Sequence, residues 1–189
     1  MSSATPSRVL MTSKLTPPTS RAAQVPRAGV VERMLSASAA RLVLVRAPAG
    51  FGKTTAMSQC MTRMEDQGLV TAWLTLDDAD NDVSRFLWYL NAAVSRLTED
   101  GKDQNTTGER PFTSTGDAAL DVVARLSEHQ SAFALFLDDF ERVQDSAVLG
   151  LIREIVEHLP RRGQFIIGTR NLPELGLGRL RARGQLLEI

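Results

Sequence analysis

The sequence predicts an α/β fold in which a parallel sheet of five strands is covered by helices on both faces. Short apolar runs of strand length alternate along the chain with segments whose apolar residues recur at helical spacing. Some of these runs end abruptly at acidic or basic residues, at the edge where parallel sheets bind their ligands. Such alternation of strand and helix is typical of a three-layer α/β/α arrangement.

The overall composition excludes several classes of protein. The length of 189 residues fits one domain, or one domain with a tail. Lys plus Arg and Asp plus Glu number 22 each, so the chain lacks the basic excess that is usual in nucleic-acid-binding domains. The longest apolar run, 132–137, is far shorter than the roughly 18 residues that suggest a membrane span. The single cysteine cannot form an internal disulfide, which favours a reducing compartment, and we expect a cytoplasmic protein.

The chain divides into an N-terminal arm and one domain. Residues 1–24 are rich in Ser, Thr and Pro, and we expect part of this arm to be disordered. Residues 25–189 carry the alternating pattern, interrupted at 98–116 by a polar stretch that we interpret as a surface loop or insertion. The chain stops within a strand pattern, so we expect a fragment that is truncated near its fifth strand.

Each element of the domain is predicted by the spacing of its apolar residues. The strands are predicted over 41–46, 69–76, 132–137, 164–169 and 186–189. Helices are predicted over 30–35, from residue 53 onward, and over 83–97, 117–128 and 151–159. The acidic stretch 77–82 could bind a metal, but capping of the helix that follows, with solvated carboxylates, is the preferred interpretation.

A phosphate-binding motif connects the first strand to the helix after it. The pattern G-x-x-x-x-G-K-[ST] is matched with an alanine in place of the first glycine. The segment reads Ala47, Pro48, Ala49, Gly50, Phe51, Gly52, Lys53 and Thr54. Its two glycines, Gly50 and Gly52, would let the backbone turn so that successive N–H groups point at phosphate oxygens.

The residues after these glycines would supply the remaining contacts of a P-loop. Lys53 would reach the β and γ phosphates, the Thr54 hydroxyl would bind Mg²⁺, and Thr55 would add a phosphate contact. The helix that begins near Lys53 would add the partial positive charge of its N-terminus. If the segment were only a glycine-rich structural turn, this Lys-Thr-Thr sequence would have no explanation.

Two acidic residues follow the third strand. Asp138 and Asp139 come directly after a run of apolar residues, at the end of a strand where parallel sheets bind ligands. Asp138 would hold Mg²⁺ as the strand-end aspartate does in P-loop NTPases, and Asp139 would orient or deprotonate the attacking water. The alternative is that both residues simply cap a turn.

A basic residue ends the fourth strand. Arg170 follows the apolar segment 165–169, and its guanidinium could contact a γ-phosphate. The alternative for Arg170 is a surface ion pair. Together with Lys53 and Asp139, Arg170 completes the set of candidate catalytic residues. ATP is favoured over GTP, because the sequence has no N-K-x-D motif and no Asp-x-x-Gly after the third strand.

Several segments together resemble the N-terminal part of the large ATP-binding LuxR-type transcriptional regulators. These are Thr12-Ser13-Lys14-Leu15, Val25-Pro26-Arg27, Ala47 to Thr55, Leu137-Asp138-Asp139-Phe140, Thr169 to Gly176 and Leu180 to Ile189. The regulators belong to the signal-transduction ATPases with numerous domains. The resemblance covers nearly all of the chain after the first ten residues.

The resemblance implies a P-loop NTPase fold with strand order 5-1-4-3-2, in which the strand that ends at Arg170 lies between the two strands of the phosphate site. It also implies that Val25 and Arg27 lie near the adenine. It further implies a slowly hydrolysing switch, in which ADP holds a resting monomer whereas ATP and an inducer permit self-association and transcription activation. DNA would be bound only by a C-terminal domain that this chain does not contain.

Two other functions remain open at the level of sequence. The chain could be a stand-alone P-loop ATPase or a phosphotransferase that uses the same cleft. Paired acids favour activation of water over transfer to an acceptor, for which no motif is evident. The chain could also be a degenerate P-loop scaffold without nucleotide affinity, although Lys53, Thr54 and Asp138 are all present.

Overall fold

The computed structural model describes residues 10–19, 25–97 and 115–189. Its strands are β1 (Leu42–Arg46), β2 (Val70–Thr75), β3 (Phe133–Asp138), β4 (Gly163–Thr169) and β5 (Leu186–Glu188). Its α-helices are α1 (Ala28–Leu35), α2 (Lys53–Asp66), α3 (Val83–Ser95), α4 (Thr115–Glu128), α5 (Ser146–His158) and α6 (Gly178–Ala182). All five predicted strands are present, and their bounds differ from the predicted ones by no more than one residue at either end.

The five strands form one parallel sheet in the order β2-β3-β4-β1-β5. Read from the other edge, this is the predicted order 5-1-4-3-2, which is therefore confirmed. The strand that precedes Arg170, β4, lies between β1 and β3, and its Thr169 is paired with Arg46. The ends of β1, β4 and β3 consequently meet side by side at the carboxyl edge of the sheet.

Alternate residues of each central strand enter different cores, because successive side chains of a strand point to opposite faces. Leu42 and Leu44 of β1 belong to the larger core, whereas Val43 and Val45 belong to the smaller one. Helices α3, α4 and α5 supply the larger core, and α1 and α2 supply the smaller one. The fold is therefore the predicted three-layer α/β/α arrangement.

Part of the N-terminal arm packs against the domain. A 3-10 helix, Thr12–Leu15, places Leu15 in the larger core, and the Leu15 carbonyl accepts a hydrogen bond from Arg96. Residues 1–9 and 20–24 lie outside the described residues, so the division of the chain at residue 24 and the expected disorder stay predictions. None of the described helices is both long and apolar enough to cross a membrane.

Two expectations about polar segments need correction. Helix α4 begins at Thr115, inside the predicted loop 98–116, and the rest of that loop, 98–114, lies outside the described residues. In the acidic stretch, Asp77 and Asp82 cap the two helices that follow them, as predicted. Asp80, however, is completely buried and bonded to Lys14, so the expected solvation of the carboxylates is wrong at this position.

Candidate nucleotide-binding site at the carboxyl edge of the sheet

The loop between β1 and α2 has the backbone conformation that its glycines permit. Gly50 has φ 80° and Gly52 has φ 81°, in the left-handed region that residues with a side chain rarely adopt. Gly52 is also the N-cap of α2, so the first turn of this helix faces the loop. Pro48 and Ala49 are exposed on the loop, and Ala47 is bonded through its N–H to the Thr169 carbonyl of β4 at 3.3 Å.

Lys53 is buried, with 8% of its surface exposed, and folds back over its own loop. Its Nζ donates hydrogen bonds to the carbonyl oxygens of Ala47 at 2.8 Å and Pro48 at 3.3 Å. No carboxylate among the described residues forms an ion pair with it. An ammonium group has three donors, so Lys53 has a further donor available beside the loop.

A hydrogen bond between Thr54 and Asp138 connects the start of α2 to the end of β3. The Thr54 hydroxyl donates a hydrogen bond of 2.7 Å to Asp138 Oδ2. Asp138 is 1% exposed, and its other oxygen, Oδ1, is buried without a hydrogen-bond partner in the described structure. Burial raises the pKa of Asp138, and the nearby charge of Asp139 raises it further, whereas Thr54 and Lys53 act in the opposite direction.

These two residues fit a magnesium ion. Mg²⁺ prefers oxygen ligands and is commonly held by one or two carboxylates together with substrate phosphates. Asp138 offers a buried carboxylate with one unused oxygen, and the Thr54 hydroxyl lies beside it. A buried carboxylate without an ion pair is costly, and a cation would offset that cost.

Asp139 is the one non-glycine residue with positive φ, at 54°, in the described parts of the chain. It turns the backbone directly after β3 and begins a 3-10 helix, Phe140–Arg142, whose Phe140 is buried in the larger core. The side chain of Asp139 is partly exposed beside Asp138. Its backbone thus serves a turn, while its predicted role toward water stays a prediction.

Arg170 forms the ion pair that its alternative interpretation predicted. Its Nε lies 2.6 Å from Glu141 Oε1, and its backbone N–H donates to Glu141 Oε2 at 3.2 Å. The Arg170 side chain is 44% exposed, however, so this contact does not remove it from the solvent-facing edge of the sheet. Its role toward a γ-phosphate remains a prediction.

The segment at Val25 and Arg27 lies against the loop and α2. Arg27 Nη2 donates to the Phe51 carbonyl at 3.3 Å, and the Arg27 N–H donates to Gln59 Oε1 at 2.9 Å. Gln59 in turn donates to the Val25 carbonyl at 3.2 Å. A side chain at Gly52 would begin 2.9 Å from Arg27 Nη2, so Gly52 also makes room for this arginine. Contact with adenine stays a prediction for Val25 and Arg27.

The structure adds residues that the sequence interpretation missed. A Cβ on Gly168 would lie 2.5 Å from Met57 Sδ and 2.9 Å from Asp138 Oδ1, so only glycine fits between α2 and the buried carboxylate. A glycine inside a strand often marks such a close approach, and this signal was readable. Glu141 and Gln59 gave no comparable signal, because their partners are distant in sequence.

The structure thus brings Lys53, Thr54 and Asp138 together at the end of β1 and β3, with Arg170 at the end of the strand between them. Thr55 lies in the first turn of α2 and is half-buried. A glycine loop between a buried strand and a helix, with a strand-end aspartate bonded to the residue after the lysine, defines the class. The chain is a P-loop NTPase domain.

Comparison with known proteins narrows this class. Over 183 residues, 96% of this chain, the sequence is 32% identical to the HTH-type transcriptional regulator MalT of two Klebsiella pneumoniae strains. The match covers 20% of each regulator, so the chain spans about a fifth of the length of these relatives. No known protein-family model matches the chain. The resemblance to the nucleotide-binding region of MalT-like, LuxR-type regulators is confirmed, and it supports an ATP-binding regulatory module.

Solved structures confirm the fold. Drosophila ORC bound to DNA superimposes with a TM-score of 0.52 and 6% identity, covering 85% of this chain and 90% of that one. Aeropyrum pernix ORC1 in complex with DNA gives a TM-score of 0.50 and 17% identity, covering 86% of this chain and 44% of that one. A DNA replication initiation factor gives 0.50 and 13%, over 85% and 44%. At such identities the likeness shows a shared fold alone.

Proposed function

We propose that this chain is the ATP-binding and slowly ATP-hydrolysing switch module of a MalT-like regulator, in which ATP binding controls self-association and transcription activation. One observation carries the proposal. Among the described residues, buried Lys53 has hydrogen bonds to backbone carbonyls alone, while the neighbouring Thr54 is bonded to a buried strand-end aspartate with an unused oxygen. A triphosphate with a cation would satisfy both groups at once.

The binding step uses groups that the fold already holds in place. Lys53 would exchange its two carbonyl partners for phosphate oxygens, which are better acceptors because they are charged. Backbone N–H groups around Gly50 and Gly52, with the N-terminus of α2, would surround the same phosphates. Little of the loop would have to be ordered on binding, so most of the interaction energy would appear as affinity.

Thr54 and Asp138 would hold Mg²⁺ on the outer phosphates. The ion would neutralise the charge that develops on these oxygens during phosphoryl transfer. Asp138 is kept in position by the Thr54 hydroxyl and by the close approach of Gly168. Gly168 therefore contributes to the site without contacting a ligand.

Asp139 and Arg170 would act on the γ-phosphate. Asp139 would orient or deprotonate the attacking water, and Arg170 would contact the γ-phosphate that distinguishes ATP from ADP. A difference in contacts between the ATP and ADP states is what a nucleotide switch requires, because a ligand shifts an equilibrium only through unequal affinity for its two states. The ADP-bound form would then be the resting state, and the ATP-bound form would be the state that self-associates.

Substitution of Lys53 tests the binding site. Lys53→Ala removes the mobile charge on the outer phosphates, and we expect affinity for Mg·ATP to fall by about 100-fold, as for loss of a strong charged contact. Calorimetric titration of the folded chain with Mg·ATP measures the effect. Arg161→Ala is the control, because it also removes one positive charge but lies just before β4, at the opposite edge of the sheet. Unchanged affinity in Lys53→Ala would refute the proposed site.

Substitution of Asp139 in the same experiment separates hydrolysis from binding. Asn suits the left-handed backbone of this position as Asp does, so Asp139→Asn preserves the turn. We expect affinity for Mg·ATP within about threefold of the parent, and phosphate release slower by about 100-fold, as for loss of a general base. Release at the parent rate would remove Asp139 from this role.

A further inference from the structure

Glu141 makes two contacts with one residue. Its Oε1 lies 2.6 Å from Arg170 Nε, and its Oε2 accepts a hydrogen bond of 3.2 Å from the Arg170 backbone N–H. The Glu141 side chain is only 9% exposed, whereas that of Arg170 is 44% exposed. A nearly buried carboxylate therefore holds both the main chain and the inner side of the guanidinium of a residue that faces solvent.

This contact leaves the tip of the guanidinium available. A guanidinium carries five N–H donors in a rigid planar fork, of which only one is on Nε. Within the described residues, the terminal Nη1 and Nη2 atoms of Arg170 form no hydrogen bond. Glu141 thus holds the Nε side of the guanidinium and leaves its terminal nitrogens available to a second anion.

The pair lies just beyond the strand ends that form the candidate site. Thr169 of β4 is paired with Arg46 of β1, which is the last residue before the phosphate loop. Arg170 follows Thr169 directly. On the other side, Glu141 comes three residues after Asp138 of β3. An anion bound between the phosphate loop and Asp138 would therefore lie in front of the strand end from which Arg170 projects.

We propose that Glu141 is a positioning residue, which orients Arg170 so that its outer nitrogens bind the γ-phosphate, and that Glu141 thereby contributes to a preference for ATP over ADP. This inference rests on the proposed function. An arginine has many rotamers, and holding it in one of them before the ligand arrives lowers the entropic cost of the new contact. Gln at position 141 keeps the size of the side chain but loses the negative charge that attracts the Arg170 guanidinium.

A double-mutant cycle tests the inference. Dissociation constants for Mg·ATP and Mg·ADP are measured calorimetrically for the parent chain, Glu141→Gln, Arg170→Ala and the double variant. We expect Arg170→Ala to reduce the preference for ATP by about tenfold or more, as for a lost charged hydrogen bond. Glu141→Gln reduces it by about fivefold, with ADP affinity within about twofold of the parent, because Glu141 acts only through Arg170. In the double variant, Glu141→Gln adds no further effect.

A matched control separates positioning from general stabilisation. Glu157→Gln removes a comparable carboxylate. Glu157 lies on α5, and its Oε2 is 3.5 Å from Nη1 of Arg179. This variant should leave the ATP-to-ADP preference unchanged. An ion pair that only stabilises the fold would make Glu141→Gln weaken both nucleotides equally, and that result overturns the inference. Glu141→Ala provides the second variant if Glu141→Gln fails to fold, with the same expected loss of preference.

The same measurements distinguish failure of the proposed nucleotide site from failure of the positioning role of Glu141. If the parent chain binds both nucleotides and Lys53→Ala loses both, the proposed site stands. An unchanged preference in Glu141→Gln then refutes the positioning role alone. If the folded parent chain binds neither nucleotide, the proposed function and the inference fail together.

Discussion

Two lysines are buried in the described part of the chain, and they differ in their partners. Lys14 is 6% exposed, and its Nζ lies 2.9 Å from Asp77 Oδ2 and 2.5 Å from Asp80 Oδ2, over the ring of Tyr89. Lys53 is 8% exposed and, in the part of the chain that the structure describes, donates hydrogen bonds to backbone carbonyls alone. The first lysine is paired with two carboxylates, whereas the second forms no ion pair with any described residue.

The buried aspartates beside these lysines show the same difference. Asp80 is fully buried and has Lys14, Arg85 at 3.4 Å and the Asp77 backbone N–H around it. Asp138 is equally buried, but a single hydroxyl serves one of its oxygens. Burial of a charge therefore does not distinguish structure from function. The balance of charge around the buried group does, because an unbalanced buried group lowers stability until a ligand completes it.

We call Lys14, Asp77, Asp80 and Arg85 the anchor cluster. Its geometry explains how the N-terminal 3-10 helix is attached to the edge of the sheet, because Lys14 lies on that helix while the acids follow β2. The cluster and the candidate site both lie just beyond strand ends. Making the same kind of substitution in the anchor cluster and in the candidate site tests whether charge balance distinguishes a structural cluster from a ligand-binding one.

The largest difference is expected for the two lysines. Lys14→Met leaves Asp80 buried with less compensation, and we expect a loss of about 3 kcal/mol in the free energy of unfolding. In a chain of this size, that corresponds to roughly 6–12 °C in Tm. Lys53→Met breaks no ion pair of the described residues, and Asp138 keeps its hydrogen bond from Thr54, so this variant should cost no more than about 1 kcal/mol. Urea unfolding of both variants without nucleotide makes the comparison, and equal losses would contradict it.

The two aspartates should respond with opposite signs. Because burial raises the pKa of Asp138, the folded state favours its protonated form, and its contribution to stability is lost as the pH rises through that pKa. At neutral pH, Asp138→Asn should therefore stabilise the nucleotide-free chain by about 1 kcal/mol. Asp80→Asn should destabilise it, because Lys14 loses its buried partner.

Thermal unfolding without nucleotide provides both values. The same Asp138→Asn sample, titrated with ATP in Mg²⁺ and then in EDTA, should show that added Mg²⁺ no longer improves affinity. A variant that is less stable than the parent, or that responds to Mg²⁺ as the parent does, would place Asp138 with the anchor cluster.

The smallest effect concerns Asp77 and acid. Partial burial acts to raise the pKa of Asp77, but the hydrogen bond and charge of Lys14, the Ala79 N–H and Arg85 outweigh it and lower this pKa below its ordinary value of 3.8. The stabilisation is therefore complete above pH 3.8 and is lost as the pH falls through the lower pKa of the folded state. Asp77→Asn should unfold at slightly lower urea concentration than the parent at pH 6, and the difference should vanish at the most acidic pH. A constant difference at every pH would assign the effect to the hydrogen bonds alone.

The fold was predictable because its signals are local. Each central strand, such as β3, is an uninterrupted apolar run, and the sequence 47–54 identifies both the first strand and the helix after it. The strand order came from the resemblance to a known family, since no local pattern encodes it. The convergence of Lys53, Thr54 and Asp138 then follows from the parallel sheet, which brings strand ends together.

The anchor cluster was not predictable in this way. Lys14 and Asp80 are 66 residues apart, and an acidic stretch before a helix gives no sign that one of its carboxylates is buried. The contact between Glu141 and Arg170 depends likewise on the neighbouring positions of β3 and β4. Pairings of this kind require the tertiary structure, because charged residues have the same sequence pattern whether they meet water or each other.

The left-handed backbone at Asp139 has a consequence for variation at this position. Asn and Gly adopt this conformation readily, as Asp does, whereas most other residues would add roughly 1–2 kcal/mol of strain. The replacements that preserve the turn are thus uncharged ones. Under the proposed role of Asp139, one substitution to Asn or Gly would give a folded protein that binds ATP but does not hydrolyse it. Natural variation at this single position would then lengthen the lifetime of the ATP-bound state without other changes to the domain.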